Sequence, residues 1–364
     1  MKFIHIADMH FDKPFTILEK NGLSEERRIN QRRVFNKMIQ YIKDNNIEYL
    51  FIAGDLYEHE YIRKSTIDFI NNCFKQIENT RIYIAPGNHD PYINNSYYNK
   101  YTWNENVRIF TELKKIEDNN INIYGYGFTN FSSKAIELPD NLNIDKINIL
   151  LMHSDLNGSK KEGEHNPVFE TSLSSSEFDY VALGHIHKKS MNNFKAVYPG
   201  TMFAGGFDEL GEHGMIVGEI DSVTKKVFIK FVPLDDEEFV KEEIDISNIN
   251  SEEELIEYIN NKECEDKKYY EYVLTGSKNF EVDKKKILKL QENNKVIKLK
   301  DISKLRIDLD KISKEKSLRG IYVNELLKEI EEDKSNKDEI YRIIEIGLNA
   351  MNYIVICREE YIWI

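Results

Sequence analysis

The sequence predicts an α/β protein in which two sheets pack together between helices, followed by a smaller α+β part and terminal helices. Three observations lead there. Short apolar runs alternate with amphipathic helical patterns over the first hundred residues or so. Strands dominate from about residue 120 to residue 232. All nine histidines lie between His5 and His213, so the chemistry of the chain is concentrated in its first part. At 364 residues and 41% hydrophobic content the chain can form one large core plus one or two small ones.

Taken in order, Lys2–Ala7, Glu48–Ala53 and Arg81–Ala85 read as short buried strands bounded by polar or Gly/Pro punctuation. Residues 25–45 and 61–78 between them read as amphipathic helices. This βαβαβ order favours a parallel sheet with helices outside. The later strands are expected at Asn122–Tyr126, Ile147–Met152, Tyr180–Leu183, Val197–Tyr198, Met215–Ile220 and Val227–Val232. After Pro233 the run DDEE marks a boundary. Residues 235–310 are read as a small α+β domain rich in Lys and Glu, and 311–364 as a C-terminal helical region. Within the latter, Ile321, Leu326, Leu327 and Ile330, then Ile340, Ile343, Ile344, Leu348 and Met351, form the apolar stripes of two helices. These stripes have no evident partner in the chain. The end, NYIVICREEYIWI, is too apolar for a free tail and reads as a strand or as a segment packed on a partner.

Charge and cysteine content narrow the function classes. The formal net charge is −13, of which −4 falls in residues 1–234 and −9 in residues 235–364. A protein that merely coats nucleic acid is normally basic, so that class is disfavoured. Two bound divalent cations would bring the first part close to neutrality. The three cysteines are odd in number and far apart, which points away from a disulfide framework and towards a reduced, cytoplasmic protein. No run approaches the ~20 apolar residues of a membrane span, and the start MKFIHIADMHFD lacks the apolar stretch of a signal peptide.

Metal-capable residues recur just past expected strand ends. Asp8-x-His10 follows the first strand, Gly54-Asp55 the second and Gly87-Asn88-His89-Asp90 the third, while His153 and Gly184-His185-x-His187 follow later strands. Ligands of open α/β sheets bind at the carboxyl ends of strands, so these loops can meet in one crevice. The spacings D-x-H and H-x-H put alternate side chains on one side of an extended segment. Alone, D-x-H or G-D is an ordinary turn. G-N-H-D is rarer, because the inserted His has no turn role. Two carboxylates, imidazoles and an amide carbonyl, without thiolate, suit manganese, iron or zinc in a catalytic site. Seven ligand residues exceed the need of one open metal, so two ions sharing a bridging carboxylate is the economical arrangement.

D-x-H, G-D, G-N-H-D, H and G-H-x-H in this order resemble the calcineurin-like metallophosphoesterase superfamily over roughly residues 1–234. The contexts FIAGDLY, APGNHD, DYVALGHIHK and GFDELGEHG resemble its DNA-repair exonuclease branch, the SbcD-type nucleases. The resemblance implies a four-layered α/β/β/α metallophosphoesterase sandwich (1–234), a small α+β capping domain (235–310) and C-terminal helices that dock an SbcC-type ATPase (311–364). It implies that Asp8, His10, Asp55 and His187 hold one metal, and that Asp55 also joins Asn88, His153 and His185 on the other. His89 would be the proton donor or charge stabiliser, with Asp90 orienting it. The implied activity is exo- and/or endonucleolytic hydrolysis of DNA phosphodiesters in repair, with two divalent ions and Mn²⁺ the expected metal. DNA and the ATPase are the expected partners, with a homodimer left open and no membrane. A phosphatase or nucleotide phosphodiesterase on the same site, or a scaffold with a decayed site, are the competing readings.

One position departs from the pattern. Some members of the branch have a histidine three residues after the bridging Asp, where this sequence has Glu58 beside His59. Glu58 is read as a surface residue in preference to a catalytic one. Arg27, Arg28, Arg32 and Arg33 are read as a solvated helix face, with phosphate contact as the alternative. The same choice holds for the seven lysines from Lys284 to Lys300. Tyr92, Tyr97, Tyr98, Tyr101 and Trp103 either stack on bases or pack an insertion onto the domain. His5 is read as a core histidine, and His213 as a turn residue near the site.

Overall fold

A computed structural model describes residues 1–19, 22–158, 165–191, 195–291, 295–306, 308–332 and 336–359. The chain divides into two compact units. The first comprises Met1–Glu242, Lys262–Tyr272 and Gln291–Leu299, and the second Glu243–Asn261, Val273–Leu290 and Lys300–Ile364.

The first unit is built on strands β1 (Lys2–Ile6), β2 (Tyr49–Ile52), β3 (Arg81–Ile84), β4 (Val107–Ile109), β5 (Lys114–Asp118), β6 (Ile121–Tyr126), β7 (Ile147–His153), β8 (Tyr180–Gly184), β9 (Ala196–Val197), β10 (Gly214–Ile220) and β11 (Val227–Pro233). They form a six-stranded sheet, order β11-β10-β1-β2-β3-β4, and a five-stranded sheet, order β5-β6-β7-β8-β9. In the first sheet β1 to β4 run parallel, and the β10–β11 hairpin adds antiparallel to β1. In the second, β6 to β9 are parallel and only β5 is antiparallel. The continuous apolar runs follow from burial on both faces. Ile4, Ile6, Leu50, Ile52, Ile82 and Ile84 face the helices Ser24–Asn45 and Lys64–Lys75. The alternate residues Phe3, Tyr49, Phe51 and Tyr83 pack between the sheets against Ile123, Ile149, Leu151 and Ala182. On the outer face of the second sheet, Leu150, Met152 and Leu183 meet Leu173 of the helix Glu170–Ser175. Helix, sheet, sheet and helix are the four layers the fold class requires. The unexpected strands are β4 and β5, the latter (KKIED) having no buried face to announce it.

Strands β12 (Glu238–Asp245), β13 (Lys268–Thr275) and Val296–Asp301 form a separate three-stranded sheet in that order. In the second unit, helices Leu318–Glu332 and Lys337–Glu359 pack on each other. Val323, Ile330, Ile340, Ile344 and Leu348 share a core with Ile312, and Leu326 and Leu327 rest against it. The stripes expected to lack a chain partner therefore find one in each other. Ile321 and Ile343 stay exposed. Gly347 permits the close approach, because a Cβ there would stand 2.2 Å from the Tyr322 hydroxyl, which donates to the Ile343 carbonyl at 2.8 Å. The backbone stays helical to Glu359, where a strand was one expectation. The side chains of 352–359 and all of 360–364 lie outside the described residues. Among the described residues no helix is long and apolar enough to cross a membrane.

Candidate metal centre

Five loops meet at the carboxyl ends of the two facing sheets. Asp8 and His10 follow β1, Asp55 follows β2, Asn88 and His89 follow β3, His153 ends β7, and His185 and His187 follow β8. Backbone hydrogen bonds lock the loops together: Asp8 N–H donates to Gly54 O at 3.1 Å, His10 N–H to Asp55 O at 2.9 Å and His59 N–H to His89 O at 2.9 Å. Four of these residues sit at positive φ, namely Asp8 (52°), His10 (47°), Asp55 (52°) and His185 (99°). Such backbone is unfavourable for non-glycine residues and collects at functional sites, where the surrounding structure over-determines it. Gly87 is glycine for space, since a Cβ would lie 2.2 Å from Asp55 Oδ1.

Three groups of ligand atoms converge: Asp8, His10 and His187; Asp8, Asp55 and His153; and His10, Glu58 and His89. In the last, Glu58 occupies the Nδ1 atoms of both imidazoles. Asp8 belongs to the first two, and Asp55 Oδ2 lies between them, 3.7 Å from His10 Nε2 and 3.3 Å from His153 Nε2. Asn88 Oδ1 is 3.1 Å from His153 Nε2. The His185 backbone N–H donates to both Asp8 oxygens at 3.1 Å, and its ring packs edge-on to His153 with centroids 5.2 Å apart.

Ring tautomers decide what this centre can hold. His10 Nδ1 meets Glu58 Oε1 at 2.8 Å, and His187 Nδ1 meets Glu209 Oε1. A carboxylate accepts, so both Nδ1 atoms carry the proton and both Nε2 atoms present lone pairs. Those two Nε2 atoms face each other at 3.2 Å. His153 repeats the pattern: Nδ1–H donates to Ala53 O at 2.9 Å, which turns the Nε2 lone pair towards the oxygens of Asn88 and Asp55. Lone pairs converging with no donor between them fit cations, and a hard oxygen and imidazole set without sulfur fits divalent ones.

Electrostatics agree. Burial pushes the Asp8 carboxyl above its ordinary range, partly offset by His153 and His187. Burial acts likewise on Asp55, but His153, His10 and His89 outweigh it and hold that carboxyl well below the ordinary range. Burial opposes charge on His153, yet Asp55 pushes the imidazole up to about 9. His185, desolvated and beside His153 and His165, goes down to about 4. The negative centre thus draws a proton onto His153 Nε2, and that proton would give way to a metal ion.

The sequence matches the family of calcineurin-like phosphoesterases over residues 1–189, just over half of the chain. The chain is a calcineurin-like phosphoesterase. It is 26% identical over 295 residues to the D subunit of the SbcCD nuclease of Staphylococcus epidermidis, a match covering 69% of this chain and 77% of that protein. The crystal structure of TT1561 of Thermus thermophilus superposes with a TM-score of 0.36 at 14% identity, covering 63% of this chain and 98% of that one. Phosphoesterases of this family use divalent metal ions, which is what the converging donors above would hold.

Several residues stand differently in this phosphoesterase from what the sequence led us to expect. Glu58 is no surface residue: it is 8% exposed, and its two oxygens bond His10 Nδ1 at 2.8 Å and His89 Nδ1 at 2.9 Å. Asp90 bonds elsewhere than to the His89 ring. Its oxygens accept from the backbone N–H of Asp55 (3.0 Å), Leu56 (2.7 Å) and Gly87 (2.7 Å) and from Tyr98 Oη (2.7 Å), so it fastens the loops together. Burial and the Asp55 charge push Asp90 up to about 6, against donors that hold it ionised. Arg27 neither faces solvent nor awaits phosphate. It is fully buried, paired with Asp235 (2.6 Å) and Glu237 (2.7 Å), and stacked on Phe203. Tyr98 is buried, and Tyr92, Tyr97, Tyr101 and Trp103 pack against the same core, which favours packing over base stacking. His213 is buried as well, with Nδ1 against Thr201 Oγ1 at 2.8 Å. Glu209 was not singled out. A lone acid in GFDELGEHG carries no spacing signal, and only the fold brings it to His187.

Proposed function

We propose that this phosphoesterase is a manganese-dependent DNA nuclease, acting by exo- and/or endonucleolytic hydrolysis of phosphodiester bonds in cytoplasmic DNA repair with an SbcC-type ATPase. The observation that supports the chemistry best is the pair of lone-pair clusters that share Asp8 and flank Asp55 Oδ2, with His89 open beside them. Similarity to a protein named as a nuclease subunit supports the substrate. In this reading Asp8, His10, Asp55 and His187 hold one Mn²⁺, and Asp55, Asn88, His153 and His185 hold the other. Two such ions supply charge stabilisation at phosphorus and a nucleophile drawn from water near neutral pH.

The chain's own residues do the rest. The His89 side chain is 44% exposed and faces outward from the loop that also carries Asn88. Glu58 accepts from its Nδ1 and holds the imidazole above its ordinary value, so that His89 carries a proton at Nε2 for the departing oxygen. Asp90 positions this loop without touching the substrate. Residues 1–234 act as the nuclease domain, 235–310 as a cap and 311–364 as the ATPase-docking region. There the outward residues Leu318, Ile321, Ile343 and Ile346, all exposed, offer the apolar contact.

The test is incubation with Mn²⁺ and labelled single- and double-stranded DNA beside a chromogenic phosphodiester. Cleavage of both that stops on chelation is expected. Hydrolysis of phosphomonoesters with DNA untouched would replace this reading by the phosphatase one, and full turnover in excess chelator would end the metal reading altogether.

A further inference from the structure

We infer that His59 and Phe131 form a stacking subsite for the nucleobase next to the scissile phosphate; the inference rests on the phosphodiesterase reading and adds how a nucleotide is told from a plain phosphate ester. Phe131 is 50% exposed, a large aromatic side chain left in water. Its ring meets His59 edge-on, with centroids 5.8 Å apart and planes at 67°. Both residues are tied to the loop that presents His89. His59 N–H donates to His89 O at 2.9 Å. The segment leading to Phe131 is fastened by Phe128 N–H to Pro86 O (2.9 Å) and by Tyr92 N–H to Phe128 O (2.7 Å). The aromatic rim thus shares its backbone supports with the proton donor of the proposed reaction.

Chemistry favours a planar ligand here. The edge-to-face contact with His59 braces the Phe131 ring while the residue stays half exposed, and an exposed, braced aromatic ring is what a base stacks on. Stacking is tolerant of base identity, which suits an enzyme that must accept any sequence. The neighbouring aromatics Tyr92, Tyr97, Tyr98, Tyr101 and Trp103 are engaged in the core, so they are not available for this. His59 Nδ1 is buried without a hydrogen-bond partner among the described residues, so the ring is held by packing and by its backbone and contributes its shape.

The experiment compares thymidine 5′-monophosphate with inorganic phosphate, both titrated in Mn²⁺ by calorimetry against wild type, Phe131→Ala, Phe131→Leu and Phe131→Trp. Wild type should bind the nucleotide more tightly than phosphate. Phe131→Ala and Phe131→Leu should each weaken nucleotide binding about tenfold, within the range that base–aromatic stacking supplies. Their phosphate affinity should stay unchanged, and Phe131→Trp should retain wild-type affinity. Melting curves check that the variants are folded. Equal affinity of wild type for the two ligands, unchanged nucleotide binding in Phe131→Ala, full binding in Phe131→Leu, or parallel loss of phosphate would each overturn the subsite. Failure of the underlying reading shows elsewhere, as absence of wild-type turnover on methyl p-nitrophenyl phosphate, which carries no base.

Discussion

The two halves of the proposed metal centre both rest on carboxylates and a pair of imidazoles, the second adding Asn88, but they back their imidazoles differently. In the Asp8–His10–His187 half, each imidazole has a carboxylate on its far nitrogen, Glu58 on His10 and Glu209 on His187. In the other half, His153 leans on the neutral carbonyl of Ala53, and His185 stacks at 4.7 Å on the ring of His165. A carboxylate behind an imidazole makes it a more basic, better oriented ligand than a carbonyl does. The difference teaches that two sites joined by one Asp need not be equal: the first half should bind its ion more tightly, and the second should exchange first.

The largest effect should come from erasing what the halves share. Asp55→Asn removes charge from both, so activity should vanish, and elemental analysis should find less than two equivalents of metal. His89→Ala should separate chemistry from metal binding, with turnover down ~10²–10⁴-fold and both equivalents retained. Loss of an equivalent would make His89 a ligand instead. Glu209→Gln tests the asymmetry itself. It should weaken the tighter ion ~10–100-fold and leave the looser one alone, as read by a metal titration. Equal weakening of both would remove the distinction between the halves.

The smallest effect concerns an imidazole outside the centre. His5 packs between the sheets with Nδ1 at 2.9 Å from Tyr180 Oη, and burial lowers it to about 3 from the usual 6.5. Its folded value lies below its unfolded one, so its contribution to stability is complete above pH 6.5 and falls away as the pH drops towards 3. Between pH 7.5 and pH 5 the metal-free protein should lose about 2 kcal/mol through this residue. Urea denaturation of His5→Asn at both pH values should show a dependence reduced by that amount.

The ligand loops were legible because each binding residue follows a strand whose two buried faces make a continuous apolar run. The sandwich was legible for the same reason, and its edge strand β5 was not, since Lys114, Lys115 and Glu117 have nothing buried to pattern. Glu58, Glu209 and Arg27 escaped for a different cause. Each is a single charged residue whose partner lies 22 to 210 positions away, so no local spacing marks it. The C-terminal stripes were visible, but amphipathicity cannot tell a helix that meets its neighbour from one that meets another protein. Ile330, Ile344 and Leu348 belong to the first kind. A Leu326, Leu327 and Ile330 triple substitution to Asp would therefore unfold the hairpin, and Ile321→Asp with Ile343→Asp is the cleaner probe of docking.

The most direct test of the centre is a calorimetric titration of the metal-free wild-type protein with Mn²⁺ near neutral pH, repeated on Glu209→Gln. Two equivalents binding in two resolved steps are expected, with protons released as metal displaces them from the imidazole nitrogens, and with only the tighter step weakened in the variant. A single equivalent in the wild type, or a tighter step indifferent to Glu209, would contradict it.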